Sequence, residues 1–583
     1  MLAINHQMSS QTIKDHHILV LDGDQYSSLS IVRSLGRKGL KITVAASDSE
    51  AICRYSKFTA NFFTYPNPLI DAEGFCKIIS ERLTNDNYTL IIPVTELTTL
   101  PLSKIRGEIE QKTVLAIAEN LALECVTNKA KTFNIAEKIG VPVPKSFNIT
   151  TSKKLDNSLV DIKFPVVIKP SRSITDQTDD IRAKLTVDYA FNLNELNKKA
   201  KQYLKTSEII LQEYFEGAGI GIELIADHGK IIHAFQHIRL HELPLTGGGS
   251  CLRKSVEINP QLLDYAQKLI KEINWHGVAM VEFKHNPSTN KSCLMEINGR
   301  FWGSLPLAFS SGSDFPWFLY QLLINQQHPK QFRSSTGHIS RKIQGDLYWY
   351  IQTVFRRDSN PLIKWPSNIQ LISDFISIFH YKHHFDAFYY QDLKPGFIDL
   401  KRTTSWLFHF TYEFIEKYRL RKKHHKIKQN NALKDTIEQA KNILFLCYGN
   451  INRSAAAECI FQQQINKINY QVQSAGFHPK DKRPADPNMI KTAKEEGIDM
   501  QNCTSQTVNQ SMLETADIVF VMEIEHIIKL SNLHPQYINK VYLLSSLDPS
   551  TATPLEISDP YGQTDKEYKT CFNQIHTCIN YLS

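Results

Sequence analysis

Asn442-Ile-Leu-Phe-Leu-Cys-Tyr-Gly-Asn-Ile-Asn-Arg-Ser-Ala-Ala-Ala457 reads as a buried strand, a tight loop and a helix start in immediate succession. The continuous apolar run Ile443–Leu446 is the pattern of a strand covered on both faces, as in a parallel sheet. Gly449 relieves the tight loop, and Ser454-AAAECIFQQQ opens a helix at once. A cysteine that attacks phosphorus reacts as its thiolate, so it needs inward-pointing amides, a helix N-terminus and a cation. Cys447, the loop after it and Arg453 supply all three. Far downstream, Ser558-Asp559-Pro560-Tyr561 sets a carboxylic acid on a loop, as protonation of an alkoxide leaving group requires.

Further strand-like runs at Val472-QSAG, Ile518-VFVME and Val541-YLL extend this α/β unit. With Ser474-Ala-Gly-Phe477, Ala485-Asp-Pro487, Glu496-Gly-Ile-Asp499 and Ala516-Asp-Ile-Val519, residues 438–583 resemble the low-molecular-weight protein tyrosine phosphatase family. The resemblance implies a three-layer α/β domain with a parallel sheet. It also implies Cys447 as nucleophile, Arg453 as the grip on the phosphoryl oxygens, Asn450 as the loop-shaping residue, Ser454 as an aid to the thiolate and Asp559 as general acid. The implied substrate is a phosphotyrosine protein or another phosphomonoester. Two positions depart from the family pattern. Asn452 stands where many members have a second cysteine, so that protective disulfide cannot form. Phe477-His-Pro-Lys-Asp-Lys-Arg483 offers Phe477 and charges where many members stack Trp or Tyr on the substrate ring, which favours a substrate other than phosphotyrosine. An arsenate reductase, which shares the fold, is the alternative; the Asp559 loop and the lack of a resolving cysteine pair disfavour it.

Upstream, His17-ILVLDGD, a helix-like segment from Ser27 to Lys38 and Lys41-ITVAA read as strand, helix and parallel strand. Thr89-LIIPV is another buried strand, and its C-terminal end at Thr95 is where such sheets place ligands. A helix follows Asn128 and closes at Gly140, then strands at Phe164-PVVIKP and Glu208-IILQEYFEG. An enzyme that activates a carboxylate with ATP needs lysines on the phosphates, a strand against adenine and oxygens around magnesium. They come in that order: Lys129, Lys169, then Gln212-Glu213-Tyr214-Phe215, then Glu282, then Glu296, Asn298 and Arg300 in MEINGR. Strand alternation puts Glu296 and Asn298 on one side, and Arg300 continues the period as a cation suited to a developing acyl phosphate.

The run from Lys129 to Arg300 resembles the ATP-grasp superfamily, in the branch of biotin carboxylase and the carbamoyl phosphate synthase large subunit. The implied roles are phosphate contacts for Lys129 and Lys169, adenine contacts for Gln212 to Phe215, and magnesium (or manganese) ligation by Glu282, Glu296 and Asn298. In the stretch Gly217-AGIGIE, Glu223 stands as the candidate for the ribose carboxylate of many relatives. Leu245-Thr-Gly-Gly-Gly-Ser-Cys-Leu-Arg253 reads as a loop closing over substrate or as a hairpin turn. His237, Arg239 and His241 alternate along one strand face, either toward a ligand or toward solvent.

The expected organisation is a tail at 1–16, an α/β domain at 17–115, the ATP-grasp domain at 116–330, a helical connector at 331–437 rich in aromatics and His, and the phosphatase-like domain at 438–583. At 583 residues, with 42% hydrophobic and 22% charged residues, several cores are affordable and wholesale disorder is excluded. The net charge of +8 is concentrated in Lys417-YRLRKKHHKIK, seven Lys or Arg without an acid, so no nucleic-acid partner is expected. With the aromatic segment before it, 406–428 suits weak contact with an anionic membrane surface. Ten cysteines without CxxC spacing, no secretory signal and no long apolar run point to a reducing cytoplasm. The expected partners are a small carboxylate and an amine. The alternative is a nucleotide-sensing ATP-grasp half that governs the phosphatase.

Overall fold

The computed structural model describes residues 15–151, 162–172, 186–328, 334–355, 360–430, 432–464, 470–550 and 553–581. Of the expected tail at 1–16, residues 1–14 lie outside that set, while His16 is buried and its Nδ1 lies 2.6 Å from the Tyr320 hydroxyl. The chain divides into two compact units, 1–404 and 405–583.

In the first unit, β1 (His17–Val20), β2 (Lys41–Ala46), β3 (Asn61–Thr64), β4 (Leu90–Ile92) and β5 (Val114–Leu115) form a parallel sheet in the order β3-β2-β1-β4-β5. β1 is buried along its whole length, as its unbroken apolar run requires. Helix α1 (Tyr26–Arg37) follows it. Between β1 and α1, Asp22 takes a left-handed φ of 55°, and its carboxylate accepts from the Val94 and Thr95 amides at 2.9 and 2.8 Å. The hydroxyls of Thr95 and Thr98 also donate to it, so the strand end at Thr95, expected to face a ligand, is spent on the fold.

Helix α2 (Lys129–Lys138), capped by the Asn128 side chain, leads into an antiparallel sheet and a larger sheet that is antiparallel except for the β15–β16 pair. The smaller joins β6 (Ser146–Ile149), β7 (Val166–Pro170), β8 (Asp188–Ala190) and β9 (Ile209–Glu213) in the order β6-β9-β7-β8. The larger has seven strands: β10 (Ala218–Asp227), β11 (Lys230–Leu243), β12 (Gly249–Val256), β13 (Gly277–Asn286), β14 (Lys291–Asn298), β15 (Ile339–Arg341) and β16 (His383–Phe385). Their order is β14-β13-β10-β11-β12-β15-β16.

The stretch 331–437, expected as a helical connector, is instead divided. Its part up to residue 404 belongs to the first unit, where β15 and β16 extend the large sheet. Buried ion pairs hold it there: Arg33–Asp392 at 2.9 Å, Arg253–Asp386 at 2.5 Å and His241–Asp346 at 2.6 Å. Asp392 also accepts from the Ser56 hydroxyl and the Lys57 amide. Asp392→Ala strands a buried guanidinium, so it should lower the first unit's stability by about 3–5 kcal/mol. A urea titration followed by tryptophan fluorescence would read this as an earlier first transition; an unmoved midpoint would show this segment to be loosely held.

The second unit contains β17 (Asn442–Cys447), β18 (Gln471–Gly476), β19 (Ile518–Val521) and β20 (Val541–Leu543), all parallel, in the order β18-β17-β19-β20. The unit boundary falls inside helix α3 (Lys394–Gln429), and helix α4 (Arg453–Gln464) starts where the phosphate loop ends. On α3, Lys417 and Arg421 pair with Glu525 and Glu556, and the Lys428 ammonium donates to the Thr553 carbonyl, so part of the basic run serves the unit's own packing. Phe408, Tyr412, Phe414 and Tyr418 on the same helix are exposed. Among the described residues no helix is long and apolar enough to cross a membrane.

Candidate active sites

A cavity of about 660 Å³ opens between the four-stranded and the seven-stranded sheets of the first unit. It is lined by Lys129, Lys169, Gln212, Glu213, Tyr214, Phe215, Glu282, Glu296, Asn298 and Arg300, so one space receives the residues expected at phosphates, adenine and metal, though not the ribose candidate Glu223. The reason is geometric. Strand ends of the small sheet deliver Lys169 and Gln212 from one side, where the lysine ammonium donates to the Gln212 Oε1 at 2.7 Å. From the other, β13 and β14 pair Glu282 directly with Glu296. The Asn298 amide bridges the two carboxylates at 2.9 and 3.3 Å, and Lys129 sits 3.3 Å from Glu296. Arg300 donates to Asn298 Oδ1 at 3.1 Å and lies 3.6 Å from Glu96, while its buried Nε has no acceptor among the described residues.

Burial works against the charge of Glu296, but Lys129, Lys169 and Arg239 outweigh it and hold its pKa down at about 2. Burial wins at Glu282, whose pKa is raised although Arg239 opposes it. Lys169 is pulled down to about 8, chiefly by burial. The site thus carries more cation than its carboxylates neutralise, as a polyphosphate pocket needs.

The strand face His237, Arg239, His241 is buried rather than turned to solvent. Arg239 reaches Glu282 at 2.5 Å and Glu242 at 3.2 Å. His237 lies 2.9 Å from Glu223, and His241 stacks on Trp349 at 3.4 Å between Asp346 and Asp374. Glu223, the ribose candidate, is fully buried, accepts from the Ser304 hydroxyl at 2.7 Å and does not line the cavity. Gly247, Gly248, Gly249 and Arg253 all line it, with Arg253 paired to Asp386 at 2.5 Å.

In the second unit the loop from Cys447 wraps its own sulfur. The Asn450 amide donates to Cys447 Sγ at 3.2 Å, and Ser454 Oγ lies 3.0 Å from the same atom. Asn450 has a φ of 51°, a left-handed conformation costing about 1–2 kcal/mol for most residues. Its side chain offsets this by donating to Ser454 and Ser474 at 2.9 and 2.8 Å and accepting from the Gln506 amide at 2.8 Å. Arg453, 1% exposed, donates to Glu523 at 2.7 Å, to the Ile557 carbonyl at 2.9 Å and to Asp559 at 2.6 Å. Its Nε is buried without an acceptor among the described residues, a donor left for a ligand oxygen. Burial works against the guanidinium charge, but Cys447, Asp559 and Glu523 outweigh it and raise its pKa. Burial, Arg453 and Lys529 drive His526 down to about 3, so it is a neutral ring behind the loop.

Comparison with known proteins agrees with both halves. The family model described as low molecular weight phosphotyrosine protein phosphatase matches residues 442–583. The probable low molecular weight protein-tyrosine-phosphatase EpsP of Ralstonia nicotianae is 30% identical over 140 residues, 24% of this chain and 92% of that one. The chain belongs, through this C-terminal quarter, to the low-molecular-weight protein-tyrosine-phosphatase family. A model described as ATP-grasp in the biosynthetic pathway with Ter operon matches residues 205–344. The carbamoyl phosphate synthase large chain of Pseudarthrobacter chlorophenolicus is 24% identical over 299 residues, 48% of this chain and 26% of that one, so the likeness spans about a quarter of that relative. A solved L-amino acid ligase from Bacillus licheniformis superposes with a TM-score of 0.42 at 15% identity, covering 53% of this chain and 74% of that one. One chain thus holds a segment, 205–344, that matches an ATP-grasp family model and a domain, 442–583, of the phosphatase family.

Several residues of these sites carry no local signal in the sequence. Glu523 lies 70 positions beyond Arg453 and follows an ordinary buried strand. In the phosphatase domain Phe477 is nearly buried and stacks on His526, so it is not free to meet a substrate ring; Tyr448 and Tyr561 are the exposed aromatics of the two loops. Lys529 sits over the rings of both Tyr448 and Phe477 at 5.1 and 4.9 Å. Glu242 and Lys284 of the ATP-grasp cavity likewise emerge only once strands are paired, and Arg239, singled out by alternation, gains its direction only then.

Proposed function

We propose that the ATP-grasp half joins a small carboxylate to an amine through an acyl phosphate, using ATP, and that the phosphatase half cleaves a phosphomonoester, a phosphotyrosine protein among the candidates. The observation that carries the first part is the single cavity where Lys129, Lys169 and Arg300 converge on the Glu282–Asn298–Glu296 cluster. Lys129 and Lys169 hold the phosphates, the segment Gln212–Phe215 takes the base, and Arg300 offers its open Nε to the acyl phosphate. Two carboxylates and an amide oxygen are the hard donor set of a magnesium ion, or of manganese in its place, and such an ion would neutralise charge on the phosphates.

In the phosphatase half, Cys447 Sγ attacks phosphorus while the bond to the leaving oxygen breaks, and Asp559 donates a proton to that oxygen. Arg453 Nε, the loop amides and the dipole of α4 hold the phosphoryl oxygens. Ser454 and the Asn450 amide stabilise the sulfur as thiolate; water then cleaves the phosphocysteine.

The test is a screen of carboxylate and amine pairs for phosphate release from ATP by the full-length Cys447→Ser chain, in which the phosphatase is silent. Release that depends on one acid and one amine together supports the ligase. ATP bound without turnover across a broad panel would favour the nucleotide-sensing reading instead.

A further inference from the structure

On the first unit, away from the cavity, four potential metal ligands from three separate segments meet. Asp227 ends β10, and His228 with Gly229 makes the two-residue turn into β11, both at positive φ (42° and 84°), the backbone of a type I′ hairpin. His276 precedes Gly277 at the start of β13, and the Gly229 amide donates to the Trp275 carbonyl at 2.8 Å, clipping the turn beside it. His328 arrives from beyond the helix Phe315–Leu323.

All three imidazoles point at one carboxylate. His328 Nε2 lies 2.7 Å from Asp227 Oδ2, while His276 Nδ1 and His228 Nε2 lie 3.2 and 4.0 Å from Asp227 Oδ1. The donor atoms of Asp227, His228 and His276 all fall within 4.8 Å of one another. The rings of His228 and His276 are stacked, centroids 4.3 Å apart, a close approach that becomes unfavourable if both carry a proton. Nδ1 of His276 is shielded from solvent, and the partner it faces among the described residues is Asp227, at 3.2 Å. A tetrahedral ion with bonds of about 2.0–2.1 Å needs its ligand atoms roughly 3.4 Å apart. The distances of the three imidazoles from Asp227 bracket that value, and His328, which lies outside the group meeting within 4.8 Å, has to turn inward to complete the shell.

We propose that Asp227, His228, His276 and His328 form a binding site for a zinc-class divalent cation, separate from the oxygen-only cluster at Glu282 and Glu296. Three imidazoles and one carboxylate select zinc, cobalt, nickel or copper over magnesium. Bound there, the ion would tie the β10–β11 turn and the segment after the helix Phe315–Leu323 to the start of β13, the strand that carries Glu282. This inference does not depend on the ligase reading.

The test is titration of the metal-free full-length chain with Zn²⁺ and, separately, Co²⁺, with Mg²⁺ in excess, for the wild type, His276→Ala, Asp227→Asn and the control His409→Ala on α3. The wild type and the control should bind one more equivalent of Zn²⁺ than the two site variants and show the visible bands of four-coordinate Co²⁺, which the variants lose. Equal stoichiometry and affinity in all four proteins, or loss in the control as well, would overturn the site. If His276→Ala misfolds by circular dichroism, His228→Ala on the exposed turn takes its place, with at least a tenfold weaker Zn²⁺ affinity expected and an unchanged affinity overturning the proposal.

Discussion

Asp559→Asn should slow hydrolysis of phenyl phosphate by about 10²–10⁴, the usual contribution of a general acid, and barely affect nitrophenyl phosphates. The contrast follows from the bond that breaks. A phenolate of high pKa leaves slowly unless a proton reaches its oxygen, whereas a nitrophenolate leaves unaided. Asp559 is placed for the transfer, since its carboxylate hangs on a loop within 2.6 Å of Arg453 and its other oxygen accepts from the Tyr561 amide at 3.2 Å. Asparagine keeps much of that hydrogen bonding and removes only the proton. Single-turnover rates across a series of aryl phosphates would measure it. Equal losses for every leaving group would show that Asp559 only positions Arg453, and another acid would then have to be sought. Cys447→Ser should abolish turnover throughout the series.

Glu296→Ala should reduce ATP turnover by the first half of the chain below detection. The carboxylate is the partner of Lys129 and of the Asn298 amide, and with Glu282 it supplies the anionic charge of the cluster. Removing it leaves Glu282 alone opposite Lys129, Lys169 and Arg239. The fold should survive, because the side chain is about one-third exposed to the cavity. The measurement is ATP consumption in the presence of magnesium and the coupled acid and amine, with thermal unfolding as the control for folding. Turnover equal to the wild type would remove Glu296 from the site. Loss of turnover with a lowered unfolding midpoint would show a structural role instead.

The main strands of the core sheets were legible because each is a short apolar run bounded by glycine, proline or a charged turn, as in Ile18–Leu21 and Ile443–Leu446. The motif residues were legible because both chemistries arrange them at strand ends in a set order. What stayed hidden has a common physical cause. β15 and β16 are three residues each and contain the buried Arg341 and the half-buried His383 and His384, made tolerable there by partners elsewhere: Arg341 donates to the Asp374 carbonyl at 2.6 Å, and His384 stands 2.8 Å from His338. Polar residues paired across long separations look like surface in a linear reading. The same holds for Arg239, which alternation placed on a face without saying which way that face turns, and for Glu523, whose bond to Arg453 spans 70 positions.

The position of the unit boundary within α3 bears on how the phosphatase domain can be isolated. His424 of that helix is buried, with its Nδ1 within 3.4 Å of both the Ser546 hydroxyl and the Leu543 amide at the end of β20, and Lys428 is buried against the Thr553 carbonyl. The segment that follows adds Leu433, Ile437 and Ala440 to the same apolar core as Phe445 and Phe572. A chain shortened to begin at Asn442, where the family likeness starts, would therefore lack a wall of its own interior. It would bare the edge of β20 and the apolar surface beneath α3, and it should aggregate where one begun near Ser405 stays monodisperse.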